Sequence, residues 1–281
     1  MKFNLVRIVP ENSQGIHADV FHEIEASVFF SLTKLGHQVT NSVNRFKTES
    51  KNIIFGMHQC PVDVVRHDIP KDSIIYSLEQ MRSSDPECRR WARKYRDLEV
   101  WDYSLRNIEV LKEFGLKNVK HCQIGYVPEL SYFERNPPQD RDIDILFFGC
   151  PSPRRMEILE KFNENKKINF VSFQGKYGDE RDEQIKRSKL VINLHNHDTE
   201  IFEMVRVTHL IQNKVPVLCE VNPGTEIPNY MEGTVFTSTR NKFVDTAYDL
   251  LKNPKQLDIN AENGLEIFKK SPMFSFIEEV L

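Results

Sequence analysis

Short apolar runs, rich in β-branched and aromatic residues, alternate with helical patterns along this 281-residue chain. That alternation yields parallel sheets whose strands are buried on both faces by helices. In the first half strands are predicted over Phe3 to Val9, Asn52 to Met57, Ser73 to Leu78, Glu99 to Tyr103 and Val119 to Ile124. A helix from Ala18 to Leu35 sets Val20, Ile24, Val28 and Leu32 at steps of four and stops at Gly36. A second, Ser104 to Phe114, opens on a serine cap and closes at Gly115.

The alternation breaks at Glu134-Arg-Asn-Pro-Pro-Gln-Asp-Arg141, where adjacent prolines and the lack of apolar residues exclude a helix or central strand. It reads as a linker between a domain over residues 1–133 and one over 142–270. Beyond it come strand Ile143 to Phe148, helix Arg154 to Asn163, strand Ile168 to Phe173, helix Glu180 to Ser188 and strand Leu190 to Leu194. Helix Thr199 to Gln212, strands Pro216 to Glu220 and Thr234 to Thr237, and closing helices complete the pattern. The expected fold class is α/β: two Rossmann-like doubly wound domains facing a cleft, with ligands at the carboxyl ends of the strands.

Composition narrows the function classes. A net charge of −3 and a pI near 6.3 give no field that draws in a nucleic-acid backbone. Cys60, Cys88, Cys122, Cys150 and Cys219 are odd in number, widely spaced and free of CxxC pairs, which points to reduced thiols. The first ten residues are too short and interrupted for a signal peptide, and no run approaches the roughly 20 apolar residues of a membrane span, so a cytoplasmic protein is expected. GxGxxG after the first strand, GxxxxGK[ST] and GxSxG are all missing, which removes the main support for dinucleotide, P-loop and hydrolase readings.

The most informative segment is Leu190-Val-Ile-Asn-Leu-His-Asn-His-Asp-Thr-Glu-Ile-Phe-Glu-Met-Val-Arg206, an apolar strand leading through a polar turn into a helix that Asp198 or Thr199 caps. On that helix Glu200, Glu203 and Arg206 share one face at steps of three. A carboxylate there can accept both ribose hydroxyls of a nucleotide, with Arg206 orienting it or reaching a phosphate; the alternative is a solvated ion pair. His195 is read as a hydrogen-bonding partner of a sugar hydroxyl or phosphate. A metal cluster of His195, His197 and Asp198 is disfavoured, because alternate residues on an extended tip point to opposite sides.

Upstream, Ile143-Asp-Ile-Leu-Phe-Phe-Gly-Cys-Pro-Ser-Pro-Arg-Arg155 ends a strand at Gly149 and places Arg154 and Arg155 at a helix start. Backbone donors there and either arginine suit a diphosphate, although arginines in a first turn oppose the helix dipole and otherwise read as surface residues. In the first half, His17 and Asp19 follow the first strand and are candidate bases, or belong to a cap; His58 and Glu79 follow later strands as acceptor-side candidates.

These segments, with Val215-Pro-Val-Leu-Cys-Glu220, Ile74-Ile-Tyr-Ser-Leu-Glu-Gln80, Trp101-Asp-Tyr-Ser104 and Gly125-Tyr-Val-Pro128, resemble the GT-B glycosyltransferases. The resemblance is to the CgeB-type, glycosyltransferase group 1-like proteins of bacteria and viruses. It implies a nucleotide-sugar donor held by the second domain, an acceptor facing the first, no essential metal or other cofactor, and a final segment, 271–281, that crosses back to the first domain. By that similarity Glu203 binds the ribose and His195 lies near the donor's sugar or phosphates. Many retaining members carry two glutamates eight positions apart; here the pair is His195 and Glu203, which leaves retention or inversion open.

The expected activity is therefore metal-independent transfer of a sugar from a nucleotide-sugar donor to an acceptor hydroxyl. Arg154 or Arg155, with backbone donors and Arg206, stabilises the departing diphosphate, and His17 or Asp19 is the base if the reaction inverts. The acceptor stays open among glycan, protein, lipid and modified nucleic acid, as does the oligomeric state. The competing readings are a catalytically silent nucleotide-sugar or protein-binding module and a sugar-nucleotide epimerase with the same shell.

Overall fold

The computed structural model describes residues 1–10, 18–59 and 69–281. The described chain divides into two compact units, Met1–Gly125 with Pro272–Leu281, and Tyr126–Ser271.

Unit 1 is built from β1 (Lys2–Arg7), α1 (His22–Lys34), β2 (Gln38–Val43), β3 (Lys51–Phe55), β4 (Ile74–Ser77), α2 (Pro86–Lys94), β5 (Glu99–Asp102), α3 (Leu105–Glu113) and β6 (Val119–His121). Its strands form one parallel sheet in the order β2-β1-β3-β4-β5-β6. Ile53, Ile54, Phe55, Ile74, Ile75, Tyr76, Val100 and Trp101 are all buried, as a sheet covered on both faces requires. Ile24, Val28 and Leu32 of α1 are buried, and the turn before it, Ala18–Phe21, is a 3-10 helix. Two elements were absent from the sequence reading: β2, a polar edge strand of sequence QVTNSV, and α2, which Asp85 caps by accepting from the Glu87 N–H. The helix over 273–280 also belongs to unit 1.

Asp102, at the end of β5, is fully buried and accepts from the Ser104 N–H (2.8 Å) and the Asn107 amide (3.0 Å). The same amide donates to the Glu79 carbonyl (2.6 Å), and Asn107 Oδ1 receives the Met81 N–H (2.7 Å). One side chain thus ties the exit of β4 to the end of β5.

Unit 2 contains β7 (Ile143–Phe148), α4 (Pro153–Glu164), β8 (Phe170–Phe173), α5 (Gly178–Lys186), β9 (Ser188–Asn193), α6 (Met204–Gln212), β10 (Val217–Glu220), β11 (Phe236–Ser238), α7 (Phe243–Leu251) and α8 (Pro254–Phe268). Its parallel sheet runs β11-β10-β9-β7-β8. From β7 the chain winds first to β8 and then to β9 on the opposite side, so the exits of β7 and β9 flank the point where winding reverses. Crevices at such reversals are where doubly wound sheets bind ligands.

The boundary differs from the one read at the prolines. The chain passes between units at Gly125–Tyr126, and residues 134–141 belong to unit 2. Arg135 and Arg141 both reach Asp258 on α8 (2.9 and 2.7 Å), and the Val127 N–H donates to the amide of Gln212 (2.9 Å). Buried amides at the end of α6, Gln212 and the capping Asn213, satisfy part of this extended segment's backbone, a partnership that hydropathy does not reveal. No described helix is long and apolar enough to cross a membrane.

Candidate functional site

The segments that follow β7 and β9, loops and first helical turns, carry the charged residues singled out in the second half of the chain. Ser152 caps α4 by accepting from the Arg155 N–H, which puts Arg154 and Arg155 in its first turn. Guanidiniums there oppose the helix dipole. Carboxylates and carbonyls from the neighbouring loops compensate.

Arg154 donates to Glu220 (2.7 Å) and Glu200 (2.8 Å) and lies 3.5 Å from the exposed Asp198. Arg155 is buried; it binds the Leu194 carbonyl through Nε (3.0 Å) and Nη2 (2.8 Å), the Cys150 carbonyl (2.8 Å) and the Glu203 carboxylate. It fastens the β7 exit to the β9 exit.

The helix expected from Thr199 begins instead at Met204. Glu200 has φ +51°, and Ile201 and Phe202 are buried in the loop, so Glu200, Glu203 and Arg206 do not share one helical face. Asp198 and Thr199 are not the caps; Glu203 occupies the cap position. Tertiary bonds hold Glu200 in this left-handed conformation, with its carboxylate receiving Arg154 and the Asn222 amide (2.6 Å).

Glu203 bonds Arg155 through one oxygen and Arg206 through the other (2.5 Å). Burial works against its charge, but the Arg206 and Arg155 guanidiniums outweigh it and hold the carboxyl below the usual range. Arg206 also donates to Asn193 Oδ1 (2.6 Å) and lies over the rings of Phe147 and Phe148. Gly149 has φ +144°, and a Cβ there would sit 2.5 Å from Arg206 Nη2. The strand-end glycine therefore makes room for this guanidinium.

Glu220 is the residue that the sequence reading missed as a site candidate. It is fully buried and accepts from Arg154, the His195 N–H (3.1 Å) and the Asn222 amide (3.0 Å). Burial raises its pKa, yet the bonds from Arg154 and Asn222 bring it below the ordinary value. The available signal was an acidic residue ending the apolar strand β10. His195 is itself buried, and burial lowers its pKa. Its Nε2 lies 3.0 Å from the Thr225 hydroxyl.

Arg154, Arg155, His195, Glu200, Glu203 and Arg206 thus belong to one bonded lattice in unit 2, with Gly149 packed against its Arg206. The candidates of unit 1 divide. His58 and Glu79, at the exits of β3 and β4, form a pair at 3.1 Å; burial lowers the His58 pKa and the Glu79 carboxylate opposes it. Asp19 is bonded instead to Arg7 (2.9 Å) at the end of β1. His17 lies outside the described residues. Among the described residues no group of three or more His, Cys, Asp or Glu side chains is placed to hold a metal ion.

No protein-family model matches the chain. Similarity to curated proteins leads to Acanthamoeba polyphaga mimivirus. Its uncharacterized protein L140 is 27% identical over 189 residues, covering 65% of this chain and 60% of the relative. Uncharacterized protein R358 is 30% identical over 169 residues, covering 57% and 55%. The chain thus spans less than two thirds of the length of either relative. Among solved structures, Anabaena Alr3699/HepE in complex with UDP and glucose superposes with a TM-score of 0.61 at 10% identity, over 100% of this chain and 98% of that one. WaaG, a glycosyltransferase involved in lipopolysaccharide biosynthesis, gives 0.57 at 10% identity, over 99% and 98%. AviGT4, a glycosyltransferase involved in avilamycin A biosynthesis, gives 0.54 at 13% identity, over 100% and 97%. At these identities the likeness is one of architecture, and the chain has the fold of the GT-B glycosyltransferases.

Proposed function

We propose that this protein is a glycosyltransferase that takes its sugar from a nucleotide-sugar donor held by unit 2, at the exits of β7 and β9. The carrying observation is that two guanidiniums, Arg155 and Arg206, share the single carboxylate of Glu203 beside Gly149. Around Glu203 alone two cations thus meet one carboxylate, beside a glycine that lets backbone approach closely where the sheet's winding reverses, and that local arrangement supports a pyrophosphate site. The solved complexes of HepE with UDP and with UDP-glucose support a donor of this class.

In this reading Arg206 faces the diphosphate, because its bonds to Glu203 and Asn193 both use Nη1 while its Nη2 lies beside Gly149 at the exit of β7. The acceptor hydroxyl oxygen bonds to the anomeric carbon as the bond from that carbon to the diphosphate oxygen breaks, and the hydroxyl proton passes to a base or to the departing diphosphate. The electron pair leaves with the nucleoside diphosphate, and the fixed guanidinium stabilises the growing charge. The protein's own cations supply that stabilisation, so transfer proceeds without a divalent metal. Glu203 keeps lone pairs beyond its two arginine bonds and is assigned to the ribose hydroxyls. His58 and Glu79 are the acceptor-side pair. The free thiols of Cys88, Cys122, Cys150 and Cys219 support a reducing compartment, and a cytoplasmic location belongs to the proposal.

Thermal stabilisation by a panel of UDP, GDP, ADP and dTDP sugars, followed by assays for transfer and hydrolysis in the presence of a chelator, tests the proposal. Glu203→Ala is expected to raise the donor KM; unchanged donor kinetics remove the ribose assignment. Binding without turnover identifies a silent module, and isomerisation without an acceptor identifies an epimerase.

A further inference from the structure

Directly after β10 the chain reads Asn222-Pro-Gly-Thr225, a turn closed by the Thr225 N–H on the Asn222 carbonyl at 2.9 Å. Proline at the second position presets such a turn. It brings the Thr225 hydroxyl between two groups: the Asn222 N–H donates to Oγ1 at 3.1 Å, and His195 Nε2 lies 3.0 Å from the same oxygen.

A threonine hydroxyl carries one proton and two lone pairs. The Asn222 N–H occupies one lone pair. If Nε2–H donated to the other, the hydroxyl proton would have no acceptor among the described residues and Nδ1 would be an unmet acceptor, whereas donation from the hydroxyl to Nε2 leaves only the Nδ1 position unmet. Burial lowers the imidazole's pKa and opposes its protonation, with the carboxylates of Glu220, Glu203 and Glu200 acting in the other direction and Arg154 reinforcing burial. A neutral ring whose Nε2 accepts carries its proton on Nδ1. Nδ1 is buried and has no hydrogen-bond partner among the described residues. An unmet buried donor of this kind carries the full cost of its lost hydration. The backbone of His195 is meanwhile clamped, its N–H on Glu220 (3.1 Å) and its carbonyl beside Arg154 (3.4 Å).

We infer that Thr225 is a positioning residue that fixes His195 as the Nδ1–H tautomer, a hydrogen-bond donor reserved for an oxygen of the sugar nucleotide. His195 then works by donating to its ligand, and the turn after β10 sets that role. The identity of the ligand rests on the donor-site reading above; the tautomer is a property of the free protein.

Long-range ¹H–¹⁵N correlation spectra of the ligand-free protein, with the ring assigned through His195→Asn, read the tautomer. The wild type and Thr225→Ser are expected to show Nδ1–H, and Thr225→Val to lose that preference. An Nε2–H ring in the wild type, or a ring unaffected by Thr225→Val, overturns the inference. Titration with UDP and UDP-glucose supplies the second readout. Thr225→Val should weaken binding roughly three- to tenfold, the worth of one hydrogen bond, while Thr225→Ser restores it. A loss with both probes places the accepting oxygen on the diphosphate; a loss with UDP-glucose alone places it on the sugar. Equal affinities in wild type and Thr225→Val overturn the ligand role. If neither probe, nor any other sugar nucleotide of the panel, binds the wild type, the donor-site reading and this ligand role both fall, and the tautomer result alone decides the assignment to Thr225.

Discussion

Glu220 receives the backbone N–H of His195 at 3.1 Å, so a carboxylate closed to solvent joins the exits of β10 and β9. Arg154, from the first turn of α4, bonds the same oxygen at 2.7 Å and brings in the loop after β7. Removing one partner of a buried pair leaves the other uncompensated, at a cost of roughly 3–5 kcal/mol. Glu220→Ala should therefore lower the unfolding free energy by about that much, and Glu220→Gln by less, because it keeps an acceptor for the His195 N–H. Urea denaturation of both variants checks the order; an Ala variant as stable as the wild type contradicts it.

Gly149→Ala is expected to disturb the position of Arg206. The new Cβ would sit 2.5 Å from Nη2, and bonds to Glu203 and Asn193 prevent the guanidinium from yielding freely. Together with the φ of +144°, the destabilisation should be roughly 1–3 kcal/mol. In a double-mutant cycle with Arg206→Ala the two effects should be less than additive, since truncation of the arginine removes the clash. Additive effects would place the cost in the backbone alone.

Asp102 makes stability depend on pH. Burial, opposed by the bonds from Ser104 and Asn107, raises its pKa from 3.8 to about 7. Between those values the folded protein keeps a proton that the unfolded chain has released, so this group's contribution makes stability fall as pH rises through the window and level off above it. Asp102→Asn removes that contribution. Urea midpoints at about pH 5 and about pH 7.5 should show a smaller decline in the variant than in the wild type. An identical decline would refute the assignment.

The pair in unit 1 gives a prediction of direction. Burial lowers the His58 pKa and the Glu79 carboxylate raises it. Glu79→Gln should shift the His58 titration, followed by NMR, to lower pH; an unchanged or raised value would show that the 3.1 Å pair does not persist in solution.

The βα alternation was legible because parallel strands buried on both faces must be apolar throughout, as in Ile53–Phe55 and Leu190–Ile192. The edge strand Gln38–Val43 was not, since its side chains are largely exposed and polar. Ile201 and Phe202 imitated the core stripe of a helix, while the left-handed Glu200, which delays the helix to Met204, depends on Arg154 and Asn222. Glu220 was visible as a residue but not as a hub, because its arginine partner lies 66 positions away. The residues of the unit 2 lattice were named individually from strand-turn-helix context; their mutual pairing was not, because it joins residues far apart in the chain, Arg154 to Glu220 and Arg155 to Glu203.

The central claim is that the lattice around Glu203 and Arg206 binds a sugar nucleotide. Isothermal titration of the wild type, Glu203→Ala and Arg206→Ala with the sugar nucleotide that stabilises the protein most tests it directly. The account predicts saturable binding that each substitution weakens by roughly tenfold or more, the worth of a charge-assisted hydrogen bond. Absence of binding across UDP, GDP, ADP and dTDP sugars, or equal affinity in all three proteins, would contradict it.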